Sequence, residues 1–97
     1  MDKFEIEQKM MEYSIDEIRM AEKYMYLIEK CEDTAIITKL QEIAKDEIKH
    51  YDFLTQTLNN KLANTPEGKD LKGTLLESVY NGWINRVKSE VENFKIK

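Results

Sequence analysis

Ile36-Ile37-Thr38-Lys39-Leu40-Gln41-Glu42-Ile43-Ala44-Lys45-Asp46-Glu47-Ile48-Lys49-His50-Tyr51-Asp52-Phe53-Leu54 carries the apolar rhythm of one helical face, with two polar residues set into it. Ile36, Leu40, Ile43, Glu47, His50 and Leu54 follow one another at alternating steps of four and three. Glu47 and His50 stand at i and i+3, so a carboxylate and an imidazole project from the same side. An earlier stretch repeats the pattern through Ile6, Met10, Tyr13, Glu17, Met20, Tyr24, Leu27 and Cys31, where Glu17 is the one charge. The chain has no proline before Pro66 and no glycine before Gly68, so nothing breaks these two periods from within. They predict two long helices, about 3–30 and about 35–62, separated at Glu32-Asp33-Thr34 with Asp33 or Thr34 as the N-cap.

A third helix is predicted over about 66–95. Thr65 offers an N-cap and Pro66 a first helical position, after the break at Asn59-Asn60 and Asn64-Thr65. Its apolar stripe is Leu71, Leu75, Leu76, Val79, Tyr80, Trp83, Val87, Val91 and Phe94, with Gly73 and Asn81-Gly82 as points of kinking or division. At 97 residues the chain fits one all-α domain: a long antiparallel hairpin plus a C-terminal helix.

Composition narrows the partners. A net charge of -4 argues against nucleic acid or an anionic membrane, since both recruit an excess of Lys and Arg. Cys31 is the sole cysteine, so neither an internal disulfide nor a Cys-x-x-Cys motif can form. The N-terminus lacks an apolar signal core and no transmembrane run occurs, so the expected location is cytoplasmic.

Reversal of the chain near Cys31 to Asp33 brings Glu17 level with Glu47 and Ile48. Ionised groups on an apolar seam cost several kcal/mol each unless they are paired or bind a metal. Glu17, Glu47 and His50 together therefore ask for a cation, and they match half of a di-iron carboxylate site, which takes one Glu from each of two helices and Glu-x-x-His from each of two others. With one histidine per chain, a second copy must supply the other half. Tyr13, one turn from Glu17, is a candidate to orient a ligand by hydrogen bonding. Each residue also has an ordinary reading. Ser14-Ile15-Asp16-Glu17 fits a capping box, and His50 can be a buried neutral histidine bonded to Glu17 or to a tyrosine.

On these residues the chain resembles the ferritin-like superfamily, and within it the encapsulated ferritins. Those are short chains with one ligand Glu and, thirty residues on, Glu-x-x-His, as from Glu17 to Glu47 here. Rubrerythrins share a Glu, a tyrosine seven residues later and a downstream Glu-x-x-His, matching Glu17, Tyr24 and Glu47/His50. The resemblance covers about residues 14–58. It implies a ferritin-like four-helix bundle built by dimerisation, and a di-iron ferroxidase site with Glu17, Glu47 and His50 of each copy as metal ligands and catalytic residues. It further implies a homodimer or a ring of dimers, iron (Fe2+/Fe3+) as the bound metal, and an encapsulin-type shell as partner, which would place the protein inside a nanocompartment. Val91-Glu92-Asn93-Phe94-Lys95-Ile96-Lys97 does not match the short shell-targeting tail of those proteins, and no cysteine-rich rubredoxin segment follows the helices. Two rival expectations are peroxide reduction at the same site and a metal-free helical interaction module.

Overall fold

The computed structural model describes residues 2–62 and 78–95, and among these every regular element is an α-helix. The first, α1, runs over Lys3–Lys30 and begins where the Asp2 carboxylate accepts a hydrogen bond from the Glu5 amide at 2.8 Å. Asp33 caps the second, α2 (Thr34–Leu62): its Oδ1 accepts from the amides of Ala35 at 2.9 Å and Ile36 at 3.1 Å. Thr34 is thus the first helical residue rather than the cap. Both helices match the lengths that the unbroken apolar periods predict. The short connection between them leaves no room for anything but an antiparallel hairpin.

The third helix, α3, spans Ser78–Asn93 and passes through Asn81-Gly82 without interruption. A Cβ added at Gly82 would meet nothing within 4 Å, so no close packing requires glycine there. The predicted start at Thr65 and Pro66, and the stripe residues Leu71, Leu75 and Leu76, lie outside the described residues.

The core forms between α3 and one face of the hairpin. Ile15, Ile18 and Ala21 of α1, Ala44, Ile48 and Tyr51 of α2, and Ile84, Val87 and Val91 of α3 are buried in a single cluster, with Tyr24, Met25 and Trp83 packed against it. The expected seams are therefore not the intrachain core. Ile6, Tyr13, Met20 and Leu27 on α1, and Ile36 and Ile43 on α2, remain exposed. The reason lies in helical phase: Ile18 and Ile48 are each one residue beyond a seam position, about 100° round the helix, and they face α3, while the exposed seam residues point away from it and the seam residue Tyr24 packs only at the edge of the core. Ile84 joins the core although it is not part of the predicted α3 stripe.

Polar contacts flank this core. The indole N–H of Trp83 donates to Glu22 at 3.0 Å, and the same carboxylate oxygen takes the Arg86 guanidinium at 2.6 Å. On the other side of α3, the Lys88 ammonium donates to Asp52 at 2.7 Å and lies 4.7 Å from the centre of the Tyr51 ring. Gln41 donates to the Phe94 carbonyl at 3.1 Å.

Candidate metal centre

Glu17, Glu47 and His50 meet on the hairpin, where one ligand atom from each lies within 4.8 Å of the other two. The positions follow from the fold. Capped at Asp33, the hairpin puts Glu17 of α1 at the depth of one turn of α2, and the i, i+3 spacing presents Glu47 and His50 on the side facing it. His50 Nδ1 is 3.5 Å from Glu17 Oε2, a separation too long for a strong hydrogen bond. The Glu17 side chain is 25% exposed and that of His50 59%, so the histidine is not the buried core residue of the ordinary reading. The capping-box reading of Glu17 also fails. Ser14 is a fully buried residue in the middle of α1, and its hydroxyl donates back to the Met11 carbonyl at 2.7 Å.

Electrostatically the cluster is under tension. Partial burial pushes the Glu47 carboxyl up to about 7, and a hydrogen bond with Glu17 and the negative charge of Glu17 add to the rise, against a lowering influence from His50. Asp46 raises it further. Two nearby cations are engaged elsewhere: Lys49 lies 3.9 Å from Asp46, and Arg19 lies 3.4 Å from Asp16. A divalent ion between the carboxylates would replace the shared proton and remove the repulsion, and the donor set of hard carboxylate oxygens with one imidazole nitrogen suits iron, manganese or zinc.

The proton held by Glu47 has a consequence for stability. Its ordinary value is 4.5, and the folded-state value is about 7. Between these limits the unfolded chain releases the proton while the folded chain keeps it, so stability falls as pH rises through the interval and stays low above it. Glu47→Gln, which cannot ionise, should remove that slope. In metal-free urea denaturation the variant is expected to gain about 1–2 kcal/mol over the natural chain between pH 5 and pH 8, after allowance for solvent screening. Parallel pH profiles for the two proteins would show that Glu47 carries no such cost.

Tyr13 is 56% exposed and makes no hydrogen bond to the cluster within the described chain, so the expected orienting role is not seen in one copy. Cys31 sits at the hairpin turn with its thiol 3.6 Å from the Asp33 carbonyl, far along the helix from Glu17. Sequence reasoning missed the contacts of α3 behind the site, from Arg86 and Trp83 to Glu22 and from Lys88 to Asp52 and Tyr51. Their one signal is that Arg86 and Lys88 flank the buried Val87, a pattern shared by any helix whose basic side chains lie along an apolar stripe.

Among the described residues no helix is long and apolar enough to cross a membrane. No family model matches the chain, and neither a curated protein nor a solved structure matches it.

Proposed function

We propose that the protein is an iron-binding ferroxidase with a di-iron carboxylate site completed by a second copy of the chain. The observation that carries this reading is the placement of Glu17, Glu47 and His50 within 4.8 Å of one another, on the face of the hairpin opposite α3. That face is otherwise apolar and uncovered: Ile6, Tyr13, Met20 and Leu27 recur every seven residues along α1, Ile36, Ile43 and the ligand His50 do so along α2, and Phe53 stands beside them. A stripe at this spacing is the pattern of a helix packed along its length, and an exposed apolar face of this extent marks an interaction surface. A second copy brings a matching stripe and a second Glu, Glu, His set, which together make up the donor set of a di-iron bundle.

In this arrangement Glu17 and Glu47 of each copy would hold two Fe(II), the substrate, and the His50 imidazoles would complete the donor set. The carboxylates also temper the extra positive charge as iron passes to Fe(III), with dioxygen or peroxide accepting the electrons. Tyr13, exposed in one copy, would lie at the interface near the ligands and could orient one of them. Storage of the oxidised iron requires a larger ring or shell, of which an encapsulin-type compartment is one form. Reduction of peroxide by the same two ions is the alternative within this chemistry.

Metal analysis of protein purified without chelator tests the reading, followed by anaerobic loading with Fe(II) and exposure to dioxygen or to peroxide. The expected result is about one iron per chain and rapid formation of Fe(III) at that stoichiometry. Faster turnover with peroxide would move the assignment to a peroxide reductase. Absence of stoichiometric metal, with Fe(II) oxidised no faster than in buffer, would leave a metal-free helical interaction module.

A further inference from the structure

Val87 points from α3 into the hairpin, and its two neighbours in sequence leave the helix on opposite sides. Arg86 turns to α1, where it meets Glu22, and Lys88 turns to α2, where it meets Asp52 and covers the Tyr51 ring. Glu22 comes five residues after the ligand Glu17, and Asp52 five residues after the ligand Glu47 and two after His50. Because α1 and α2 run in opposite directions, the two grips lie to opposite sides along the hairpin: in helical rise Glu22 is about 7.5 Å from Glu17, and Asp52 is about 7.5 Å from Glu47 and about 3 Å from His50. One helix thus holds both ligand-bearing helices, from behind and on either side of the site.

We infer that α3 is a crossbar that sets the spacing and rotation of α1 and α2 at the metal centre, with Lys88 as its principal positioning residue. The inference rests on the metal-binding reading above. Lys88 is singled out because its side chain is only 28% exposed and makes two contacts, an ion pair with Asp52 and a cation–π contact with Tyr51. Both fall on the two residues that directly follow His50. Arg86 and Glu22 are more exposed, at 59% and 42%, and an ion pair in that setting holds its helix more loosely. Glu17 and His50 are not locked to each other, being 3.5 Å apart, so their separation is set by the helices that carry them. Ligands held in place bind an ion without first having to be ordered, and loosening the support lowers affinity while the ligands themselves stay intact.

Cobalt(II) is the probe, because its visible absorption reports both occupancy and coordination geometry. Titration of the full chain should show Lys88→Met binding cobalt(II) about tenfold more weakly, the lower end of the effect of removing groups that support metal ligands. The absorption band should also broaden or shift, with helix content unchanged. Lys88→Arg, which keeps the charge and the ring contact, should restore both. Asp52→Asn, at a half-exposed position where the fold tolerates substitution, should weaken binding in the same direction and serves if Lys88→Met does not fold. Affinity and spectrum within about twofold of the natural chain in Lys88→Met, or in Asp52→Asn where it stands in, would overturn the crossbar while leaving the metal centre in place. A natural chain that takes up no cobalt(II) would overturn both.

Discussion

Alanine at Glu47 or at His50 is expected to abolish stoichiometric metal binding, weakening it by more than about 100-fold, while the circular dichroism of the helices stays nearly unchanged. The size follows from the role: supporting groups around a metal are already worth 10–100-fold, and here a donor atom itself is removed. The preserved fold follows from exposure and core membership. Neither side chain belongs to the buried cluster formed by Ile15, Ile18, Ala21, Ala44, Ile48, Tyr51, Ile84, Val87 and Val91. Glu17→Ala should behave in the same way. For Glu47→Ala the metal-free chain should even gain stability above pH 7, because the carboxyl held at about 7 in the fold is gone. Iron content equal to that of the natural chain in the Glu47 and His50 variants would remove the site assignment.

Metal and assembly are expected to rise together. If two copies close over the apolar face, each ion is held by ligands from both, and metal that binds only the assembled form draws the equilibrium towards it by mass action. At free metal about 100 times the dissociation constant, the gain is about 2.7 kcal/mol for each ion bound, roughly a hundredfold in the association constant per ion. Sedimentation during a titration with manganese(II), which avoids oxidation, should show the chain moving from a weaker to a stronger dimer, with saturation near two ions per dimer. Acidification should weaken binding and assembly in step, since protons compete for the same carboxylates and imidazole. A fully loaded chain that remains a monomer at every concentration would rule out the shared site.

The helices and the meeting of Glu17, Glu47 and His50 were open to reading from the sequence for the same reason. An uninterrupted period from Ile6 to Cys31 and another from Ile36 to Leu54 fix both the helices and the odd polar members of their faces. The pairing of Glu17 with Glu47 and His50 then needed only the position of the turn, which Asp33 supplies. What the period leaves open is the neighbour that a helical face meets. The most regular faces, through Tyr13 and Met20 and through Ile43, are exposed, and the less regular set of Ile15, Ile18, Ala21 and Ile48 packs within the chain. Both sets are apolar and helical in spacing, so burial within one copy and burial between copies look alike in one dimension. The role of α3 was hidden for a further reason. Its grips join residues more than thirty positions apart, Lys88 to Asp52 and Arg86 to Glu22, and no local pattern records such a pairing.

Ala21 and Ala44 are both wholly buried, one on each arm of the hairpin and close to the depth at which Glu17 meets Glu47 and His50. A methyl group is the smallest side chain that still favours a helix, so helices packed through these alanines can draw nearer than leucines or isoleucines would permit. Side-chain length then sets the limit. A glutamate or histidine reaches only a few ångströms from its own backbone, and a gap widened by a bulkier pair would leave the donors short of a common ion. On the metal-binding reading, the small volume of two residues that carry no charge would limit how far apart the donors of a cation can stand.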